Sequence, residues 1–153
     1  MSICYVASPV GRLAVEADHG AVTALRWAAP GERARDTAPN PILKEAARQL
    51  DRYFAGKLRR FDLPLTGHGT AFQERVWAAM RDIPFGEVAT YGGLAMALGS
   101  GPRPIGMACA RNPIPIIVPC HRVLASGGRD GGYSGGQGLP TKRKLLALEG
   151  VVI

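Results

Sequence analysis

Cysteine is scarce in this chain of 153 residues: only Cys4, Cys109 and Cys120 occur, with no C-x-x-C spacing among them. Three thiols cannot all pair with one another, which excludes a complete disulfide framework. The spacing offers neither a zinc ribbon nor a thioredoxin-like pair. Histidine is equally sparse, and His19, His68 and Cys4 stand too far apart to read as a metal site, so no metal is expected. Long apolar runs are missing as well. Nowhere do 18 uncharged apolar residues follow one another, and the opening MSICYVASPVGRLAVEADHG lacks the basic start and continuous apolar stretch of a secretory leader. A reducing cytoplasm with no membrane partner is the expected setting. Acidic residues are the third shortage, 12 against 19 Lys and Arg, for a formal net charge of +7. That imbalance favours an anionic partner such as nucleic acid.

What is present suffices for a packed core, with 46% hydrophobic and 20% charged residues, in one domain or two small lobes. Residues 3–27 read as a β-meander, ICYVA, RLAVEAD and AVTALRW, punctuated by Pro9, Gly11 and His19-Gly20. A Pro- and charge-rich loop over 28–41 follows. From Ile42 the spacing turns helical through Leu43, Ala46, Ala47, Leu50, Tyr53 and Phe54 until Gly56, and a short strand, RFDLPL, is expected after it. Small residues at 66–70 suggest a joint, dividing the chain into 1–68 and 69–153.

In the second part Thr70 is placed to cap a helix AFQERVWAAMRDI ending at Pro84, with Phe72, Val76, Trp77 and Met80 on one face. A short helix from Thr90 to Gly99 and another from Gly101-Pro102 to Arg111 then have the outline of a helix-turn-helix. Small residues on the last of these, Gly106, Ala108 and Ala110, suit either close approach to a duplex or close helix packing. Residues 100–153 hold seven Lys and Arg against two Asp and Glu, a balance of +5, so the basic excess concentrates here.

Residues 112–123 read Asn-Pro-Ile-Pro-Ile-Ile-Val-Pro-Cys-His-Arg-Val. The apolar run Ile114–Val118, bracketed by prolines, is expected to be a short buried strand or extended segment that delivers Cys120 and His121 to a site. A thiol beside an imidazole is a candidate nucleophile, because the thiolate is the reactive form and a nearby base generates it. Free cysteine also serves as a small buried hydrophobe. Adjacent side chains on an extended chain point apart, so a turn or a water has to connect the two groups.

The Pro119-Cys120-His121-Arg122-Val123 motif follows Asn112-Pro113 and precedes Gly132-Tyr133-Ser134-Gly135-Gly136 and the run Lys142 to Glu149. Together these residues closely resemble the O6-alkylguanine-DNA alkyltransferase family, over Phe72 to Glu149 in matching order. The resemblance implies an α+β fold. A small N-terminal ribonuclease-H-like lobe with a short antiparallel sheet would join a mainly helical C-terminal lobe carrying a helix-turn-helix, winged-helix-like element. It implies direct reversal of DNA damage: Cys120 takes the alkyl group of O6-alkylguanine in duplex DNA, stoichiometrically and without a cofactor, and O4-alkylthymine is left open as a second substrate.

Residue by residue, the resemblance makes His121 the base that deprotonates the thiol through a water and Glu149 the carboxylate that orients the imidazole. Asn112 ties the loop after the recognition helix to the active segment. Tyr133, Ser134 and Val123 belong to the guanine pocket. Arg103 fills the space of an extruded base, Tyr91 helps rotate the nucleotide, and Gly106, Ala108 and Ala110 face the minor groove. A monomer acting on double-stranded DNA is implied, cooperative loading being left open.

Two departures stand out. Pro104 follows Arg103 directly, where the family more often has Ala-Val, and two additional residues lie within 137–141, at the pocket rim. Proline is compatible with a first helical turn. Cys4 and Cys109 match no catalytic position and read as packing residues. Two rivals have distinct signatures: a lesion-binding relative without transfer, in which another residue replaces the reactive cysteine, and a cysteine hydrolase, which needs an oxyanion site and a cleft.

Overall fold

Three apolar runs separated by turn residues make the first 27 residues a sheet. Strands β1 (Ser2–Val6), β2 (Leu13–Asp18) and β3 (Ala21–Trp27) pair antiparallel in the order β1-β2-β3, with a bulge at Glu16/Ala17. His19 and Gly20 both have positive φ, 49° and 78°, the conformation a two-residue hairpin turn requires. The computed structural model describes residues 1–33 and 40–152, which divide into two compact units, Met1–Gly67 and His68–Ile153.

In the first unit, Asn40 caps helix α1 (Pro41–Phe54): its side-chain oxygen accepts from the Ile42 and Leu43 amides. Leu43, Ala46, Leu50 and Tyr53 recur on one buried face against the sheet. The strand expected at RFDLPL does not form. Buried Gln49 takes both backbone groups of Asp62, donating to its carbonyl and accepting from its amide. Pro64 has no N–H to add to a ladder. The segment therefore meets the sheet only at Leu65, bridged to Val22. Residues 34–39 of the loop over 28–41 lie outside the described residues.

The second unit is mainly helical. Helix α2 (Ala71–Arg81) begins with a reciprocal capping box between Thr70 and Gln73 and buries Val76, Trp77 and Met80. Strand β4 (Ala89–Thr90) leads directly into α3 (Tyr91–Leu98), which stops at Gly99 with φ 67°. Helix α4 (Pro102–Ala110) carries its two prolines in its first turn and buries Ile105, Ala108 and Cys109. Two hydrogen bonds fix the pair to α2: Trp77 Nε1 donates to Ala108 O at 2.9 Å and Arg75 to Leu98 O at 3.2 Å. Strand β5 (Val123–Leu124) pairs parallel with β4, and α5 (Leu139–Leu148) buries Leu145 and Leu146 completely. One unit with a small antiparallel sheet and one helix, and a second, helical unit with a helix-turn-helix, make the α+β architecture expected. Among the described residues no helix is long and apolar enough to cross a membrane.

Candidate active site

The segment expected to be extended is instead a tight buried fold. Val118 N donates to Ile114 O at 2.9 Å and Pro115 bridges Val118, so the run turns back on itself. Its corner is Ile116, a fully buried β-branched residue at φ 73°. Left-handed backbone costs an L-residue with a Cβ roughly 1–2 kcal/mol; burial of the side chain offsets it. Asn112 holds the fold shut, its side-chain amide donating to Val118 O at 2.8 Å and its oxygen accepting from Ile114 N at 3.0 Å. Cys120 N then bonds to the same Val118 oxygen at 2.8 Å, closing a three-residue turn around Pro119. Cys120, His121 and Arg122 follow as one 3₁₀ turn. This turn, rather than an extended chain, sets the directions of the thiol and the imidazole.

Below that turn sits a buried ionic cluster. Glu149, at the C-terminal end of α5, accepts from His121 Nε2 at 2.7 Å through one oxygen and from Arg122 Nε at 2.8 Å through the other, and Arg122 Nη2 adds a third contact at 3.1 Å. Arg122 also donates to Ile83 O at 2.6 Å. Carboxylate and guanidinium cancel, so the imidazole is not needed as a cation. Burial pushes its pKa below the ordinary value, the Glu149 contact opposes this, and Arg122 and Lys142 add to the lowering. The imidazole is thus neutral near pH 7. With Nε2–H directed at Glu149, Nδ1 carries the lone pair; it is buried and has no hydrogen-bond partner among the described residues. Cys120 is buried too, and burial raises its thiol pKa, while the Asn112 side chain and the Lys142 charge pull it back.

A cavity of about 280 Å³ opens onto the thiol, lined by Tyr91, Gly106, Cys109, Ala110, Cys120, Gly132, Tyr133 and Ser134. One wall is the small-residue face of α4. Another is the Gly-rich loop before α5, pressed so closely on Tyr91 that a Cβ at Gly131 (φ +70°) would stand 2.9 Å from its ring. Lys142 clamps two sides together. Fully buried, its ammonium donates to Val123 O at 2.7 Å and Gly132 O at 3.1 Å. Burial raises the pKa of both Tyr91 and Tyr133, so each keeps its hydroxyl proton.

The structure thus brings together Cys120, His121, Glu149 and Asn112, and places Tyr91, Gly106, Ala110, Tyr133 and Ser134 on the cavity. Two readings are corrected. Ala108 is 1% exposed and faces α2, its carbonyl held by Trp77, so it presents no surface to a duplex. Val123 buries its side chain in β5 and turns only its carbonyl to Lys142, so it is no side-chain wall of the pocket. Arg103 is exposed in the first turn of α4, away from the cavity lining. Three residues escaped the sequence reading: Arg122, the partner of Glu149; Lys142, the clamp; and Cys109, which lines the cavity instead of only packing. Arg122 was legible in principle, since a carboxylate meant to orient a buried imidazole needs a counter-charge.

An antiparallel meander with one helix, joined to a helix-turn-helix unit that holds a buried thiol over a His-Glu-Arg cluster, defines a two-unit protein with a cysteine site on its helical unit. Residues 71–151 match the family model described as the DNA binding domain of 6-O-methylguanine DNA methyltransferase, and residues 2–66 match its ribonuclease-like domain. The chain belongs to this family. Among its relatives, methylated-DNA–protein-cysteine methyltransferase of Methanosarcina acetivorans is 50% identical over 111 residues, covering 71% of this chain and 70% of the relative. The Mycobacterium bovis protein of the same name is 45% identical over 148 residues, 93% and 88% of the two chains. A crystal structure of Mycobacterium tuberculosis OGT in complex with DNA superposes with a TM-score of 0.82 at 44% identity, covering 95% of this chain and 90% of that one.

Proposed function

We propose that this protein is a methylated-DNA–protein-cysteine methyltransferase that repairs O6-alkylguanine in duplex DNA, its lobe at 69–153 binding the DNA and Cys120 accepting the alkyl group. The observation that carries the reading is the Cys120 thiol on the cavity wall, one residue before an imidazole whose Nε2 is committed to Glu149 and whose Nδ1 is left as a base. His121 Nδ1 takes the thiol proton through a water. The sulfur attacks the alkyl carbon in line; the S–C bond forms as the C–O bond breaks, and the electron pair passes to the guanine. Tyr91, Tyr133 and Ser134 line the cavity, and in this reading their hydroxyls donate to the purine as that charge develops. Nothing in the set returns the thioether to a thiol, so each molecule acts once.

A stacked guanine hides O6 from in-line attack, so the nucleotide is extruded, at a cost of a few kcal/mol that is least for a weakened pair. Exposed Arg103 at the start of α4 takes the vacated place in the stack, the helix lying in the minor groove with Gly106 and Ala110 toward the DNA. Three free thiols suit a cytoplasmic protein.

A duplex carrying methyl-labelled O6-methylguanine tests this. The intact protein should gain one methylene in mass, at Cys120, saturating at one per chain. Stable binding without label supports a recognition protein, and turnover of an ester or amide a hydrolase. Cys120→Ala should bind DNA and take up no label. Arg103→Ala should slow repair of duplex more than reaction with free O6-benzylguanine, and equal losses on both would remove its part in extrusion.

A further inference from the structure

Alkyl transfer uses one thiol of the cavity, yet the cavity has two. Cys109 and Cys120 both line it, both are buried, and both are free thiols. Cys109 sits on the last turn of α4 with its sulfur 3.5 Å from Met80 Sδ. The chain between the two cysteines is folded back on itself: Asn112 N bonds to Cys109 O at 3.3 Å, the Asn112 side chain to Val118 O, and Val118 O to Cys120 N. Closing a disulfide between the two cysteines requires their α-carbons to come to about 4–7 Å across the cavity that both line. The thiols also feel one another. Burial and then the Cys120 charge push the Cys109 pKa up to about 12. Cys4 belongs to the other unit, donating weakly to Leu43 O.

We propose that Cys109 and Cys120 form a paired-thiol modification site, in which a peroxide-class oxidant closes a Cys109–Cys120 disulfide that thiol reductants reopen. Cys120 sulfur attacks the peroxide O–O bond; the sulfur is oxidised to a sulfenic acid and the peroxide is reduced to water or an alcohol. The Cys109 sulfur then attacks that sulfur. An S–S bond forms, the S–O bond breaks, and the oxygen leaves as water with the Cys109 proton. Two reductant thiols return two electrons and two protons. Without the second thiol, the sulfenic acid passes on to the irreversible sulfinic acid. For a single-use acceptor, the pair makes oxidation recoverable; that consequence rests on Cys120 being the acceptor, whereas the disulfide itself does not. Burial keeps both thiols protonated, so closure is slow at neutral pH and quickens as pH rises.

The experiment treats the full chain with hydrogen peroxide, blocks remaining thiols with N-ethylmaleimide, and maps non-reduced tryptic peptides. Because Arg103 precedes Pro104, cleavage there is suppressed, and Cys109 falls in peptide 82–111 and Cys120 in 112–122. The expected result is these two peptides joined, an intact mass lower by two hydrogens, and both thiols restored by dithiothreitol. In Cys109→Ala, peroxide should instead add oxygen to Cys120 that dithiothreitol does not remove. Unlinked wild-type peptides, or a link through Cys4, overturn the proposal, as does equal recovery of Cys120 in the variant. Methyl uptake measured in parallel separates the two readings: joined peptides with undiminished uptake remove Cys120 as the acceptor and leave the disulfide standing.

Discussion

Glu149 is a carboxylate shut away from water, and its three contacts from His121 and Arg122 are the condition for its charge. Glu149→Gln keeps the shape but leaves the Arg122 guanidinium buried without its counter-charge. Breaking one side of a buried pair costs about 3–5 kcal/mol, a large share of the 5–15 kcal/mol typical of a domain. The expected outcome in urea denaturation is an unfolding free energy lowered by that amount together with loss of methyl uptake; an unchanged free energy would mean that the pair is screened by water. His121 sets the pH behaviour. Its folded pKa lies below the unfolded value, near 6.5. Its contribution to stability is therefore fully present above about pH 6.5 and is lost as pH falls through the window between the two values. The thiol acts in the other direction, since its raised pKa makes the reactive thiolate more abundant as pH climbs. Pre-steady-state methyl uptake should thus increase from pH 6 to pH 9, and a rate that falls over this range contradicts the assignment of Cys120 and His121 as acceptor and base.

The elements differ in how far their sequences announced them. Capped, periodic segments were legible: α1 carries its stop signal in Gly56 and α2 its start signal in Thr70, and the meander carries its turn residues. The segment Ile114–Val118 was not, because burial and β-branching suit a strand and a buried turn equally, and only the Asn112 bridge and the neighbouring carbonyls decide between them. RFDLPL failed for a related reason: its ladder partner is the side chain of Gln49, which no alternation pattern encodes. At the site, the Pro-Cys-His-Arg motif made the reacting residues visible, while Lys142 stayed hidden because a lysine on a charged stretch reads as solvated. Ile116 gives the buried turn a sharp test. Truncating a buried isoleucine to alanine costs about 2–5 kcal/mol, and glycine ordinarily costs more. At φ 73° the order should reverse, since glycine alone escapes the left-handed penalty of roughly 1–2 kcal/mol. Urea denaturation of Ile116→Gly and Ile116→Ala should show the glycine variant at least as stable as the alanine variant; a less stable glycine variant would mean that the turn carries no strain.

At the scale of the whole molecule, the net charge of +7 divides into +3 for residues 1–67 and +4 for 68–153. The +5 of residues 100–153 is not all surface. Arg122 is spent on Glu149 and Arg143 on Asp130, and Lys142 is buried on two carbonyls. Arg103, Arg111, Arg129 and Lys144 are further cations of this stretch with exposed side chains. Phosphate contacts release counterions, so the logarithm of the binding constant falls with the logarithm of salt by about 0.9 per phosphate neutralised. If all four cations meet the backbone of a duplex, the slope from this stretch is about −3 to −4. Removing buried Lys142 should leave that slope unaltered, whereas Arg111→Ala and Arg129→Ala should each flatten it by about one. Fluorescence anisotropy of an undamaged duplex over a series of KCl concentrations measures it. A slope near zero would mean that the basic excess serves solubility and that DNA is held by the cavity and α4 alone.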